Sequence, residues 1–319
     1  MVYIAESSSL FPNLNYFLEE RIYPVSILGG DRFCDWFSTV PSPTQLTTDY
    51  TFKMMRLSYE LGVRGFEISC RYNLIDSFKR LKTRFPEAVG IGNPNWRCGY
   101  KLENTHLWDV KDRIILTIIK KFNQDKTLQK MLATIPQTHS LSRFLVKKET
   151  IPLTDHEIQQ IHIDQDIWFD RINLLRGVAD FCVIGSDYAD WMCALNRLDL
   201  LRWQIKTVRD NGMIPVSVSH WASVTIPTLE KEDFAAHWIY ANKIWMYLNP
   251  ESASAAIRES AKPITAFKIL SNIELPEEIE STICRLKKLG VRSFIVGLEN
   301  PGQAISTLPR VMRALRCDN

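Results

Sequence analysis

The stretch GVRSFIVGLENPGQAISTL, Gly290 to Leu308, runs an apolar strand into a glycine, an acid, an asparagine and a proline, and then starts a helix. Its strand, SFIVGL (Ser293 to Leu298), is apolar nearly throughout, the composition of a strand covered by helices on both faces. Seven more runs of this kind precede it: PVSIL (Pro24 to Leu28), RGFEIS (Arg64 to Ser69), AVGIG (Ala88 to Gly92), DFCVI (Asp180 to Ile184), IPVSVS (Ile214 to Ser219), KIWMYL (Lys243 to Leu248) and ITAFKIL (Ile264 to Leu270). Amphipathic helices lie between them. TTDYTFKMMRLSYELG has Thr48 or Asp49 as its cap and stops at Gly62; ALNRLDLLRWQIKTVRDNG stops at Gly212; PEEIESTICRLKKLG opens on Pro276 and stops at Gly290. Eight strands, each followed by a helix, predict an α/β fold, a (β/α)8 TIM barrel spanning 1–319 as a single domain. A dinucleotide-binding open sheet is disfavoured, because SILGGDRF holds only a glycine pair and no GxGxxG.

The spacing breaks once. The chain between strands three and four is far longer than one βα unit requires, and 96–177 reads as a largely helical insertion, a lid or subdomain. Here VKDRIILTIIKKF is read as helix, with a strand as the alternative. Long βα insertions lie on the catalytic side of a barrel, so part of this segment, which holds Trp96, Arg97, Tyr100, His106, Trp108, His139 and Arg143, is expected to cover the mouth, with a rigid decoration or half of a dimer interface as the alternatives.

Composition narrows the function. The 319 residues are 45% hydrophobic and carry a net charge of +3, with acids and bases mixed along the chain. No basic run marks a nucleic-acid arm or a membrane-surface patch. The opening MVYIAESSSLFPNLNYFLEE lacks the basic and apolar regions of a secretory signal, and no apolar run reaches the roughly 20 residues that cross a bilayer. The 7 cysteines are an odd, scattered set without a CxxC pair, which reads as reduced thiols. A cytoplasmic protein is expected, with a small-molecule substrate, no nucleic-acid or membrane partner, and a possible homodimer.

In a barrel, chemistry sits where strands end and loops begin. Those positions hold Asp31, Glu67, Arg71, Tyr72, Asn93, Asn95, Ser186, Asp187, His220, Trp221, Asn249, Lys268, Glu299 and Asn300. Lys268 interrupts an otherwise apolar strand. A buried ammonium has a depressed pKa or a carboxylate partner, so Lys268 is a candidate for imine formation, proton transfer or anion binding, or else a structural partner of Glu67 or Asp31. His220 is a candidate acid or base, or a helix cap. Asp31, Glu67, Arg71, Tyr72, Asn93, Trp221 and Asn249 are candidate substrate contacts, although Asp31 also suits a plain turn. HEIQQIH (His156 to His162) spaces its histidines onto different helical faces and is not HExxH, so no metal is expected.

The last third resembles the aldo/keto reductase barrels: IPVSVSHWASVTIPTLEK, KIWMYLNP, PITAFKIL and GVRSFIVGLENPGQAISTL come in the order and rough spacing of that family's final strands. The resemblance implies a cofactor-phosphate turn at Gly297, Asn300, Pro301 and Gln303, hence an anion site at Gly297, Glu299 and Asn300 at the next helix N-terminus. It also implies an Asp, Tyr, Lys and His tetrad, and here the pattern departs. EISCRYN keeps a tyrosine, Tyr72, but not the aspartate; AVGIGNPNW lacks the lysine; CVIGSDYAD has Gly185 near the place of the histidine. The expected function is therefore an enzyme of lyase or isomerase type, working on a small polar metabolite without metal or cofactor through Lys268 and His220. An NADPH-dependent reductase with a rearranged site is the alternative, and a non-catalytic ligand-binding barrel the third.

Overall fold

A computed structural model describes residues 15–34, 46–121, 150–241, 250–270 and 277–317. In chain order its strands are β1 (Asn15–Leu18), β2 (Arg21–Pro24), β3 (Ser26–Leu28), β4 (Gly65–Ser69), β5 (Val89–Asn93), β6 (Tyr100–Leu102), β7 (Thr105–His106), β8 (Ile161–Ile163), β9 (Phe181–Gly185), β10 (Ile214–Ser219), β11 (His237–Tyr240), β12 (Ile264–Phe267) and β13 (Val291–Val296). Eight of them, β3, β4, β5 and β9 to β13, pair in parallel and close into a barrel, with β13 against β3 completing the ring. This is the (β/α)8 architecture.

Alternation along the strands divides the core in two. Ile27, Val89, Ile91, Phe181, Val183, Val216, Val218 and Ile295 point inward and fill the barrel. Their neighbours in sequence point outward and pack against the ring of helices. The hairpin β1–β2 lies against the amino-terminal end of the barrel. Tyr23 is fully buried there, its hydroxyl 3.1 Å from Thr265 Oγ1 and accepting from Trp238 Nε1 at 2.5 Å, while its ring meets Phe181 edge-on.

The helices follow their sequence signals. The cap of the helix Thr48–Glu60 is one position earlier than Thr48 or Asp49: Thr47 accepts from the Tyr50 N–H, and Thr48 and Asp49 lie in the first turn. The stretch read as one helix before Gly212 is two, Asp187–Leu195 and Leu198–Asp210, separated at Asn196, which sits in the left-handed region with φ 58°. Left-handed asparagine ends a helix as glycine does.

Strand six requires a correction. It is His237–Tyr240; the KIWMYL stretch lies outside the described residues. The apolar run from Phe234 onward offers two windows, and His237 makes the correct one look polar. That imidazole is 1% exposed and satisfied on both sides, by Ser217 Oγ at 2.6 Å and Glu230 Oε2 at 3.1 Å.

Between β5 and β9 the described chain has helices at Lys111–Lys121, Asp155–Gln160 and Gln165–Leu175, so the DRIILTIIKK segment is helix rather than strand. It also holds a three-stranded antiparallel sheet in the order β7-β6-β8, too short in each strand to show a sequence period. Aromatic rings fasten this segment to the helix after β9: Tyr100 stacks on Tyr188 at 4.6 Å, and Trp108 lies 5.7 Å from Trp191 and 6.0 Å from Trp96. His139 and Arg143 lie outside the described residues.

Candidate active site

The carboxyl ends of the strands gather most of the titratable groups named above. Glu67, in β4, is 6% exposed. Its Oε2 accepts from the Gly30 N–H at 2.8 Å and its Oε1 from Asn93 Nδ2 at 2.6 Å. The glycine pair after β3 makes this contact possible, since a Cβ on Gly30 would stand 2.6 Å from the Glu67 carbonyl oxygen. The next residue, Asp31, is half-buried at the same mouth. Burial, and then the neighbouring charge of Asp31, push Glu67 up to about 8, against the pull of Asn93, Gly30 and Lys268. Burial likewise raises Asp31, against the charges of Lys268, Arg32 and His220. Glu67 is thus a carboxylic acid that keeps its proton near neutrality.

His220 follows β10. Its Nδ1 lies 3.1 Å from Asp190 Oδ2 and 3.7 Å from Asp187 Oδ1. Asp190, 1% exposed, also accepts the main-chain N–H groups of His220 and Trp221 through Oδ1, at 3.1 and 3.0 Å. Burial disfavours the imidazolium, but the charge of Asp187 and the hydrogen bond and charge of Asp190 outweigh it, and His220 titrates above the ordinary histidine range. Asp190 itself is raised by burial. The His220, Asp187 and Asp190 ligand atoms lie within 4.8 Å of one another, close enough for a metal. Asp190 already spends both oxygens on N–H donors, however, and Nδ1 faces that carboxylate. The arrangement is a carboxylate orienting an imidazole. Asp190 was not singled out in the sequence; its signal is its place three residues after Asp187 in SDYAD, one turn along a helix that starts where a barrel strand ends.

Lys268 requires a correction. It does not interrupt a strand: β12 ends at Phe267, and Lys268 is exposed, with a left-handed backbone of φ 58°. Its ammonium stands 5.8 Å from the Tyr240 ring, and its charge acts on Asp31, Glu67 and His220. Asn93 is used within the protein, holding Glu67 and accepting from Asn95 Nδ2 at 2.8 Å. Arg71 precedes the helix Tyr72–Arg84, at whose start Tyr72 is 75% exposed; Trp221 is 6% exposed and meets the carboxylate–imidazole cluster through its main-chain N–H on Asp190. Asn249 lies outside the described residues.

At the turn after β13, Asn300 Oδ1 accepts the Gln303 N–H at 3.0 Å, and Glu299 pairs with Arg32 at 3.0 Å. A Cβ on Gly297 would meet nothing within 4 Å. The asparagine thus occupies a helix N–H that an anion would use, and the Glu299 carboxylate opposes a phosphate. The described residues of this turn do not fit a cofactor phosphate. A separate groove of about 590 Å³ opens at the other end of the barrel, beside Arg21, Lys82 and Asp180. Arg21 and Lys82 are bound there to the Asp180 and Ala88 carbonyls.

Neither a protein-family profile nor any curated protein matches the sequence. Solved structures do. A thermostable aldo-keto reductase, Tm1743, superposes with a TM-score of 0.55 at 10% identity, over 96% of this chain and 95% of that one. A Pseudomonas aeruginosa protein named for the aldo-keto reductases gives 0.54 at 12% identity, over 95% and 96%. The aldo-keto reductase AKR11C1 of Bacillus halodurans gives 0.52 at 12%, over 95% and 91%. The barrel is aldo-keto reductase-like in fold. The likeness runs the length of the chain rather than through its last third alone. Among the described residues no helix is long and apolar enough to cross a membrane.

Proposed function

We propose that this barrel is a cytosolic acid–base enzyme of isomerase or lyase type, moving a proton on a small polar metabolite. One observation carries the reading: a buried glutamic acid, Glu67, pushed to about 8, shares the mouth with an imidazole raised by Asp187 and oriented by Asp190. Two proton carriers at one mouth, one raised to about 8 and the other raised from the ordinary histidine value, suit removal of a proton at one atom and its return at another. In this reading Glu67 donates, His220 accepts in its neutral form, and Asp190 is a positioning residue. Burial, and after it the neighbouring Asp31, keeps Glu67 protonated. Lys268, exposed and cationic, holds an anionic or carbonyl oxygen of the substrate. An imine at Lys268 is the other use of that group, and borohydride trapping with carbonyl compounds distinguishes the two.

The test is a screen of hydroxy acids, keto acids and sugar phosphates in deuterium oxide, read by proton NMR. Exchange at a carbon beside a carbonyl, lost at least 100-fold in Glu67→Gln and in His220→Gln, supports the proposal. Exchange that survives both substitutions rejects it. The fold likeness motivates a second reading, a nicotinamide-dependent reductase with a rearranged site. Saturable quenching of tryptophan fluorescence by NADPH would favour that reading.

A further inference from the structure

The row of side chains around the mouth has a gap beside Glu67. Phe66 and Ile68 belong to the outer layer, so Glu67 between them faces the lumen. Leu28 pairs with Phe66 on one side and with Val296 on the other, so the next residues along, Gly29, Glu67 and Gly297, stand in one row. The Gly29 amide donates to the Val296 carbonyl at 3.0 Å, which carries this register to the strand ends. Ile27 and Ile295, two residues earlier, point inward, and alternation turns both glycines the same way. A Cβ on Gly29 would stand 3.7 Å from Glu67 Oε2, so that carboxyl reaches across it. A Cβ on Gly297 would meet nothing within 4 Å among the described residues, and Gly297 is exposed. Neighbouring strands lie about 4.8 Å apart, so two bare strands leave an opening about 10 Å wide, enough for a small organic acid. The far wall is aromatic. Phe267 and Tyr240 are register partners on β12 and β11, the strands beyond β13. The half-buried Phe267 packs on the barrel interior, and its ring stands edge-on to Tyr240 at 5.7 Å and to His220 at 5.5 Å. Lys268, next along the chain, has its ammonium 5.8 Å from the Tyr240 ring, and its charge acts on Asp31, Glu67 and His220 together. The opening therefore has an acid at one end and a cation, an imidazole and two rings at the other. A sugar phosphate laid across it would set hydroxyls against the Phe267 ring, which cannot replace the water they give up. A short acid with an apolar branch buries that branch there instead.

We propose that this opening is the substrate subsite and takes 2-oxo acids with a branched alkyl side chain: the carboxylate on Lys268, the side chain against Phe267 and Tyr240, and the 2-oxygen toward Glu67 across Gly29 and Gly297. This rests on the reading of Glu67 and His220 as the proton carriers. His220 shares the aromatic wall with Phe267, so a side chain lying on that ring brings C3 to the imidazole. His220 takes a proton from C3, the electrons of that bond form the C2–C3 double bond, and the carbonyl double bond opens as its oxygen takes the Glu67 proton. The product is the enol, with Glu67 left as carboxylate and His220 as imidazolium. The reverse steps restore the oxo acid and both groups, and in deuterium oxide they place a deuteron on C3.

The experiment is calorimetric titration of the full chain with three compounds: 4-methyl-2-oxopentanoate, pyruvate, which lacks the apolar branch, and the methyl ester of the first, which lacks the charge. The expected result is that the branched acid binds at least about 10-fold tighter than either of the others. Phe267→Ala is expected to remove the preference over pyruvate, and Lys268→Gln the preference over the ester. Because Phe267→Ala also removes core packing, Gly297→Val is the second variant. Its backbone lies outside the left-handed region and its side chain has room, so Tm is expected to stay unchanged while the branched acid binds at least about 10-fold more weakly. No binding of the branched acid, equal affinity for it and either comparison compound, or parental binding in folded Gly297→Val overturns the proposal. Titration reads binding without chemistry, so the two readings fail separately. The branched acid bound in this way but not exchanged at C3 removes the acid–base reading alone; exchange of another compound, with no binding of the branched acid, removes the subsite alone.

Discussion

His220 Nδ1 lies 3.1 Å from Asp190 Oδ2, a carboxylate 1% exposed that also receives the main-chain N–H groups of His220 and Trp221. One side chain therefore fixes both the path of the chain after β10 and the orientation of the imidazole. The two roles separate by substitution. Asp190→Ala leaves buried N–H groups without an acceptor and is expected to cost on the order of 3 kcal/mol, read as a lowered urea midpoint. Asp190→Asn keeps an accepting oxygen but removes the charge. Its expected effect is a fall of the His220 pKa, followed through the imidazole proton resonances; an unchanged pKa would show that Asp187 alone raises it.

The Gly30 contact tests how Glu67 is held. Gly30→Ala puts a methyl group 2.6 Å from the Glu67 carbonyl oxygen and forces the turn away from β4. Overpacking of this kind costs about 1–3 kcal/mol. Because the same shift withdraws an N–H from Glu67 Oε2, activity is expected to fall more than the stability loss explains. Activity that tracks the folded fraction alone would exclude a role for this N–H.

Stability is expected to fall as pH rises from 6.5 to about 8, above the window in which His237 acts in the opposite sense. Glu67 titrates at 4.5 as an ordinary glutamate and at about 8 in the fold, so between these values the folded chain keeps a proton that the unfolded chain has released. The slope is at most about 1.4 kcal/mol per pH unit from this group. His220 acts with the same sign, since its folded value is raised; its contribution is full below 6.5 and is lost through the folded pKa. Denaturant midpoints measured from pH 6.5 to about 8 should decline, and Glu67→Gln should flatten the decline.

On the acid side His237 acts with the opposite sign. Burial holds its pKa down to about 4, from 6.5, so the neutral ring is the folded form. Between pH 6.5 and 4 the unfolded chain binds a proton that the folded chain refuses, so this group takes stability away on acidification, against the gain from Glu67 above pH 4.5. His237→Gln is expected to lower stability at neutral pH by breaking the bonds to Ser217 and Glu230, and to lessen the acid dependence. An acid limb as steep in that variant as in the parent would assign it to other groups.

The barrel was legible in the sequence because strands buried on both faces are continuously apolar and the helices between them carry caps and stops. Legibility failed where polarity is buried with a partner. His237 hides strand six because a sequence window sees its polarity and not the Ser217 and Glu230 that satisfy it. The candidate site was half legible. Asp31, Glu67 and His220 follow from their places at strand ends, whereas Asp190 sits inside a helix and acts on the turn after the next strand, β10. Lys268 drew attention as a buried charge, but a left-handed turn that carries it out of β12 leaves no local composition signal.

The most direct measurement is the titration of Glu67 itself, by carbon-13 NMR of protein labelled at the glutamate side-chain carboxyl carbon. The expected result is one resonance with a midpoint of about 8, absent from Glu67→Gln and shifted downward when Asp31→Asn removes the neighbouring charge. If every glutamate carboxyl titrates in the ordinary range near 4.5, Glu67 holds no proton at neutrality, and the acid–base centre proposed for this barrel is wrong.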